Sequence, residues 1–212
     1  MIDTLAYYIG LNALFYLLIH IPLDILTLLN EKEKRKTGAK SYPPWEKGKF
    51  FTKIITILIS IYFWIFFICW PVAHFFKFDQ DFLNYNFEIP FGEAIRYIGL
   101  FLIGAGTFIA VMGRIARGRR AISWGVPEKL STNLGFGIVR HPLYASYCYY
   151  FIGIPLAMQN YLLIPMIFGV IGYYSITVYE ERILEEEFGD VYREYQRNVG
   201  MLIPFIGKKR KR

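Results

Sequence analysis

Two short segments of the sequence combine residue types that could bind and process a charged small molecule. The first is segment 135–144 (GFGIVRHPLY), in which Arg140 and His141 stand directly before Pro142. Proline is favoured at the first position of a helix, so a helix is predicted to begin at Pro142 with His141 near its N-cap. The amides of that helix start, together with Arg140, would favour a carboxylate or a phosphate. The alternative is that Arg140 and His141 only anchor the helix at the head-group layer of a membrane.

The second segment, 179–190 (YEERILEEEFGD), follows a long apolar run and supplies acids. Glu180 and Glu181 lie closest to that run, where a carboxylate is costly to place, so they are the better functional candidates. The later acids Glu185, Glu186 and Glu187 are predicted to form a solvated helix face. Gly189 has the features of a residue that ends a helix, and Asp190 those of the N-cap of a short helix that follows.

The chain between these two segments is predicted to be a helical hairpin. Residues 143–179 are almost continuously apolar and are far too many for one membrane span, but Gln159, Asn160 and Pro165 interrupt them. A tight turn at Gln159-Asn160 between two antiparallel helices fits this pattern. The hairpin would bring Glu180 and Glu181 to the depth of Arg140 and His141, so that two acids and two bases converge at one site.

The rest of the chain predicts a membrane protein that is entirely helical. Hydrophobic residues make up 55% of the sequence, aromatic residues make up 19%, and the mean hydropathy is +0.32. Apolar runs at 4–29, 54–76 and 94–113 are each long enough to cross a bilayer core of about 30 Å. With the hairpin they predict an all-α polytopic integral membrane protein with five transmembrane helices. A short C-terminal cytoplasmic helical region completes the predicted single domain, residues 1–212.

The distribution of charge predicts the orientation of these spans. Basic residues recur in the tail and follow both the first span (Lys32, Lys34, Arg35, Lys36 and Lys40 among them) and the third span (Arg114, Arg117, Arg119 and Arg120 among them). The segment between the second and third spans instead carries Asp79, Asp81, Glu88 and Glu93. Translocated loops avoid lysine and arginine, so the N-terminus is predicted outside and the C-terminus in the cytoplasm. The closing cluster 208–212 (KKRKR) is expected to lie near anionic lipid head groups. No nucleic-acid partner is expected.

Other polar groups in the apolar runs carry weaker indications. His20 and Asp24 are four residues apart on the first helix, so they could line a substrate cavity or pair locally near the inner interface. Cys69 and Cys148 have no partner at CxxC spacing and are predicted to be packing residues, without a disulfide or a metal site. No P-loop, HExxH or strand-associated GxGxxG motif is present.

The C-terminal motifs together resemble a known superfamily. The run 139–144 (VRHPLY) is followed by Glu180-Glu181, Leu184, Phe188-Gly189, Tyr192, Tyr195 and Pro204. This combination and its spacing are similar to the isoprenylcysteine carboxyl methyltransferase and phospholipid methyltransferase superfamily. The three earlier spans match that superfamily only in number and hydropathy.

The resemblance implies a membrane methyltransferase that uses S-adenosylmethionine from the cytoplasmic side and methylates a membrane lipid or a lipidated molecule. It implies a cofactor-binding region at 135–207, in which His141 or nearby amides would hold the methionine carboxylate and a glutamate the ribose hydroxyls or the amino group. The cofactor-binding residues it implies are Phe136, Gly137, Arg140, His141, Tyr144, Glu180 and Glu181, and the catalytic residues are Glu180, Glu181 and Arg140.

Two other functions share parts of this pattern. NADPH-dependent sterol reductases have a similar Arg-His-Pro region, but they are generally longer and have more spans. A lipid-binding protein that keeps the fold without catalysis is the other alternative, because the sequence departs from the usual motif. Phe136 stands where a tyrosine is common, Ser146 where a glycine is common, and Met201 where a basic residue is common.

Overall fold

The named secondary-structure elements of the computed structural model, within the residues described, are helices. The structure describes residues 2–36, 45–118, 127 and 129–206, with only the backbone described for 30–36. The predicted basic positions Lys40, Arg119, Arg120 and the cluster 208–212 lie outside these residues, as do the side chains of Lys32, Lys34, Arg35 and Lys36. The helices are α1 (Ile2–Lys36), α2 (Phe50–Phe75), α3 (Gln80–Leu83), α4 (Gly92–Arg117), α5 (Gly135–Ile138), α6 (Pro142–Met158), a 3-10 helix (Tyr161–Ile167) and α7 (Phe168–Asn198).

Four helical segments in the described part of the chain are long and apolar enough to cross a membrane, namely Ile2–Leu29, Phe50–Phe75, Gly92–Arg117 and Tyr161–Asn198. They support an integral membrane protein, and the first three coincide with predicted spans. The fourth predicted span corresponds to α6, which has 17 residues, somewhat fewer than the roughly 20 that usually cross the hydrocarbon core. Five spans, and the orientation of the termini, therefore stay predictions.

The chain reverses where the sequence predicts a turn. Helix α6 ends at Met158, and Gln159 has a φ of 50°, a conformation that ends a helix. The Asn160 side chain then accepts a hydrogen bond from the amide of Leu162 at 3.0 Å and so caps the following 3-10 helix. Asparagine thus serves as a local cap at the reversal, which explains why the turn could be located from sequence.

Contacts between residues divide the chain into two compact units. The first comprises Met1–Leu17, Phe50–Thr107 and Ser146–Tyr173. In this unit the fully buried Phe63 stacks on Phe67 and Tyr150, with ring centroids 5.0 and 5.3 Å apart. The Tyr150 hydroxyl lies 2.9 Å from that of Thr107, which also donates to Asn12 at 2.8 Å. An aromatic core with a small satisfied polar network therefore supports this unit.

The second unit comprises Leu18–Lys49, Phe108–Ala145 and Tyr174–Arg212. It contains every residue of the predicted site. Two glycines allow close contact there: a Cβ atom at Gly113 would overlap Pro142, and one at Gly135 would overlap the backbone of Gly113. The end of α4, helix α5 and the start of α6 can approach one another because these positions lack side chains.

Helix α7 is interrupted at Gly189, the residue that the sequence predicts to end a helix. Gly189 has a φ of 52° and a ψ of −126°, whereas its neighbours are helical. Residues with a Cβ rarely adopt this conformation, so glycine is the residue that permits the break. Beyond it, Tyr192 and Tyr195 form a small buried cluster with Leu184. The break therefore allows the last part of α7 to pack against the part that precedes it.

Candidate functional site

Arg140 and Glu181 form a buried, two-pronged ion pair. The Nε atom of Arg140 donates to Oε1 of Glu181, and its second terminal nitrogen donates to Oε2, both at 2.8 Å. Only 3% of Arg140 and 6% of Glu181 is exposed. The remaining terminal nitrogen of Arg140 donates to the backbone carbonyls of Gln196 and Val199. The guanidinium thus joins Glu181 to the C-terminal end of α7, where carbonyl groups need donors.

The carboxylate of Glu181 accepts hydrogen bonds from more than one further side chain. His141 lies 2.9 Å from Oε1 through Nε2, and the Tyr192 hydroxyl donates to the same oxygen at 2.7 Å. The Nε2 atom of Gln196 donates to Oε2 at 2.8 Å. With the bidentate bonds from Arg140, both oxygens of Glu181 are engaged within the protein. A carboxylate held in this way is fixed in position and is kept ionised by its donors.

His141 lies between the two predicted acids. Its Nε2 atom faces Glu181, and its Nδ1 atom is 3.6 Å from Oε2 of Glu180. Burial of the imidazole favours its neutral form, but the two carboxylates outweigh burial and raise the pKa of His141 above its ordinary value of 6.5. The site therefore combines two anionic and two cationic groups in a buried cluster, as the hairpin predicts.

The backbone around His141 differs in one respect from the expectation. Helix α6 begins at Pro142, as predicted, and the amide of Ala145 donates to the carbonyl of His141 at 2.9 Å. The amides of Arg140 and His141, however, donate to the carbonyls of Gly200 and Met201, at 2.9 and 3.3 Å. These two amides and the Arg140 guanidinium already have partners within the protein. An anion at this helix start would need donors other than these groups.

The three further predicted residues, Tyr144, Phe136 and Gly137, lie in the same unit as the cluster. The Tyr144 ring stacks on that of His141, with centroids 5.8 Å apart and planes 12° apart. Phe136 is buried, lies 5.5 Å from the Arg117 guanidinium, and accepts a hydrogen bond at its carbonyl from Tyr195. Gly137 lies in α5 and contributes backbone only. The structure thus brings Arg140, His141, Tyr144, Glu180 and Glu181 together, while their roles stay predictions.

Sequence reasoning did not identify all of the residues that complete this cluster. Tyr192 was recognised only as part of a motif, and Gln196 was not singled out. Both are buried, and they stand four residues apart beyond Gly189, so they share one face of the helix. That spacing was the available signal. The side-chain oxygen of Gln196 is buried without a partner among the described residues, so the cluster retains an unused acceptor.

Arg114 is a second buried arginine in this unit. The sequence placed it in a basic loop after the third span, but α4 continues through it and only 3% of it is exposed. Its Nη2 atom donates to Asp24 and to Thr27, both at 2.7 Å. Asp24, one member of the predicted His20–Asp24 pair, is therefore an ion-pair partner of α4. This contact joins α1 to α4.

The remaining sequence predictions concern acids and cysteines. Glu186 and Glu187 are exposed and Glu185 is partly exposed, which agrees with a solvated helix face. Both cysteines are free thiols, and Cys148 is buried, as expected of a packing residue, whereas Cys69 is exposed. No metal-binding cluster of histidine, cysteine or acidic residues occurs in the described part of the chain.

The chain is similar to known methyltransferases. The sequence pattern of the phospholipid methyltransferase family matches residues 95–191, which confirms the resemblance. The methanethiol S-methyltransferase of Pseudomonas deceptionensis is 31% identical over 138 residues, 59% of this chain and 51% of that protein. Methanethiol S-methyltransferase 1 of Bradyrhizobium diazoefficiens is 35% identical over 79 residues, 37% of this chain and 27% of that protein. The chain thus spans about half or less of these relatives' lengths.

Proposed function

We propose that this chain, which matches the phospholipid methyltransferase family over residues 95–191, is a membrane-embedded methyltransferase that uses S-adenosylmethionine. The observation that carries the proposal is the buried cluster of Arg140, His141, Glu180 and Glu181. All four residues lie inside the segment that matches the family. Buried charged groups are costly and mark functional sites in membrane proteins more often than packing positions.

The groups in the cluster fit a methyl donor of this kind. S-adenosylmethionine carries an ammonium group, hydroxyl groups and a carboxylate, and when bound it supplies an electrophilic methyl group. Glu180 would bind the amino group or the ribose hydroxyls, and His141 the carboxylate. Tyr144, stacked on His141, and Phe136 would provide apolar walls. The unpartnered side-chain oxygen of Gln196 is a further acceptor in the same cluster.

The acceptor is proposed to reach the site from the membrane. A membrane lipid or a lipidated molecule is one class, with either an isoprenylcysteine-like carboxylate or a phospholipid amine as the methylated group. The names of the relatives favour a second class, a small apolar thiol. Both classes partition into a bilayer, so a site among apolar helices suits either of them.

The acceptors differ in their need for a base. A carboxylate is already ionised near neutral pH, whereas an amine or a thiol must lose a proton before or during transfer. Glu181 is poorly suited to accept that proton because its two oxygens already accept bonds from Arg140, His141, Tyr192 and Gln196. Glu180 is therefore the better candidate for a general base, and Glu181 for a structural anchor.

Transfer of a labelled methyl group tests the proposal directly. The purified protein in liposomes is incubated with S-adenosylmethionine labelled in its methyl group and, in separate reactions, with methanethiol, a farnesylated cysteine and phosphatidylethanolamine. Label is expected in the product of one acceptor class. At saturating S-adenosylmethionine, Glu180→Gln should lower the transfer rate to a thiol or amine acceptor, because these acceptors need a base. The rate to a carboxylate acceptor, which needs no base, should stay close to that of wild type.

Measurements of donor binding and label transfer show whether the proposed function is wrong. The variant His141→Ala is expected to lose donor binding while its thermal unfolding shows that it remains folded. Binding of NADPH in place of S-adenosylmethionine would replace the proposal with a reductase. If the wild-type protein binds no methyl donor and labels no acceptor or membrane extract, the proposed function is wrong.

A further inference from the structure

The end of α7 and the residues after it supply part of the site from outside the segment that matches the family. That segment stops at residue 191. Beyond it, Tyr192 and Gln196 bond to Glu181 through their side chains. Carbonyl groups from the same region accept bonds from Arg140 and His141, namely those of Gln196, Val199, Gly200 and Met201.

We propose that Tyr192 and Gln196 are positioning residues that fix Glu181 and, through it, the orientation of Arg140 and His141. Neither residue need touch the methyl donor for this role. The proposal deepens the proposed function and rests on it for its catalytic consequence. The positioning itself is a property of the protein alone and can be measured without any ligand.

The geometry at Glu181 supports this role. Its Oε1 atom receives bonds from Arg140, His141 and Tyr192, and the Tyr192 hydroxyl also lies 3.4 Å from Nε2 of His141. Its Oε2 atom receives bonds from Arg140 and Gln196. Tyr192 and Gln196 therefore hold one oxygen each. Without either donor the carboxylate would be held less firmly, by Arg140, His141 and the remaining donor, and the orientation of the His141 ring would be less strictly fixed.

Burial explains why two neutral donors are needed here. Tyr192 is 1% exposed and Gln196 is 0% exposed, so neither bond is replaced by bulk water when it is lost. Arg140 alone can satisfy one lone pair on each oxygen, which leaves further lone pairs to be satisfied. A hydroxyl and an amide supply donors without adding charge. The cluster keeps its balance of two acids and two bases while all of its members are held.

The amide of Gln196 is also fixed in one orientation. Its nitrogen faces Glu181, and an ionised carboxylate cannot donate, so reversal of the amide would set two acceptors against each other. The side-chain oxygen of Gln196 therefore always points away from Glu181. A variant that keeps the shape of this residue but lacks the donor separates positioning from packing.

Nitrogen-15 NMR of histidine tests the proposal at His141. The chain has three histidines, so the full-length protein, labelled at histidine and held in detergent, gives few ring signals, and His141→Asn identifies the signal of His141. The ring shifts of His141 are followed from pH 5 to pH 9 in wild type, Tyr192→Phe, Gln196→Met and the double variant. The exposed Arg193 forms an ion pair with Asp190 on the same helix in the described part of the chain, and Arg193→Gln provides the matched control.

Both single variants are expected to change the His141 ring shifts and its titration midpoint, while Arg193→Gln leaves them unchanged. In the same preparations the affinity for S-adenosylmethionine should fall by about tenfold in each single variant, since each loses a bond to a charged group. The conservative variant Gln196→Asn keeps the amide but has a shorter side chain. Its affinity for S-adenosylmethionine should lie between those of wild type and Gln196→Met.

Unchanged ring signals and donor affinity in both Gln196→Met and the folded double variant would overturn the proposal. Should Tyr192→Phe fail to fold, Gln196→Met decides alone. A wild-type protein that binds no donor refutes the proposed function, yet the NMR comparison still answers whether Tyr192 and Gln196 position His141. The two failures are therefore distinguishable.

Discussion

The guanidinium of Arg140 and the carboxylate of Glu181 meet in two parallel hydrogen bonds of 2.8 Å, and both residues are buried. The pair joins the start of α6 to α7 across 41 positions in sequence. A buried ion pair adds little net stability compared with two apolar residues of similar size in its place. Loss of one partner alone, however, leaves the other charge buried and uncompensated. This asymmetry makes the pair suitable for mutational tests.

The variant Arg140→Lys keeps the charge but cannot form the two-pronged contact or reach both backbone carbonyls. It is expected to lower the free energy of unfolding by roughly 2–4 kcal/mol, because buried acceptors lose their donors. Thermal unfolding in detergent measures this change. Arg182→Lys is the control, since Arg182 pairs with Glu46 at an exposed site, and should alter stability little. Equal effects of the two substitutions would contradict the role given to Arg140.

Gly189→Ala tests the break in α7. A Cβ atom at this position meets nothing within 4 Å, so any cost comes from the φ of 52° and not from a clash. An expected loss of about 1–2 kcal/mol follows from that strain. Gly137→Ala, in the helical conformation of α5 with one contact of 3.4 Å from its Cβ, should be closer to neutral in unfolding experiments. A neutral Gly189→Ala would show that the break does not need glycine.

The features that sequence predicted correctly have local causes. Pro142 begins a helix, Gln159 and Asn160 form the turn after it, and Gly189 interrupts a helix, and each effect depends on the residue itself and its immediate neighbours. The convergence of Arg140 with Glu181 then followed from a single turn between them. The start of α6, the turn after it and the acids of the site were therefore accessible without a structure.

The features that sequence missed depend on distant pairing. The carbonyl of Gly200 accepts the amide of Arg140 because Val139 and Gly200 form an isolated parallel bridge, and no local pattern marks such a bridge. Gln196 is a common polar residue on a helix rich in charge, so its burial against Glu181 was not visible. Arg114 was assigned to a loop for the same reason, since its partner Asp24 lies in another helix.

The raised pKa of His141 predicts how stability depends on pH. Its pKa is near 6.5 when unfolded and lies higher in the folded protein, where Glu180 and Glu181 favour the charged ring. Its contribution is therefore complete below about pH 6.5 and is lost as pH rises through the folded-state pKa. Over that window the unfolding free energy of wild type should fall more steeply than that of His141→Gln. Parallel curves would show that His141 does not couple to the pair of acids.

The ion pair between Asp24 and Arg114 allows a test of whether a buried arginine needs an acidic partner for the protein to stay stable. Asp24 is the carboxylate that Arg114 contacts in the described part of the chain, although 60% of the Asp24 side chain is exposed. Asp24→Ala should lower the unfolding free energy by about 1–3 kcal/mol, because Arg114 stays buried and charged. Adding Arg114→Met should restore part of this loss, since an apolar chain tolerates the site. If the double variant is less stable than Asp24→Ala, the ion pair is not the source of the cost.

The His74 ring contacts one buried acid, Asp79, and one exposed acid, Asp3, so the two contacts can be compared. Its Nδ1 atom is 2.7 Å from Asp79, its Nε2 atom is 2.8 Å from Asp3, and Trp70 also donates to Asp79 at 3.0 Å. Asp79→Ala leaves two buried donors without an acceptor and is expected to lower the unfolding free energy by about 2 kcal/mol or more. Asp3→Ala, at a side chain that is 67% exposed, should cost at most about 1 kcal/mol, because water can replace the carboxylate.

Thermal and urea unfolding of the two variants in the same detergent measure this difference. The substitution Trp70→Phe provides a further check, since it removes one of the two donors to Asp79 and keeps the aromatic ring that stacks on Phe66. In the Trp70→Phe background the cost of Asp79→Ala should shrink, because fewer donors are left without a partner. Equal costs of Asp3→Ala and Asp79→Ala would show that burial does not decide the strength of these two contacts.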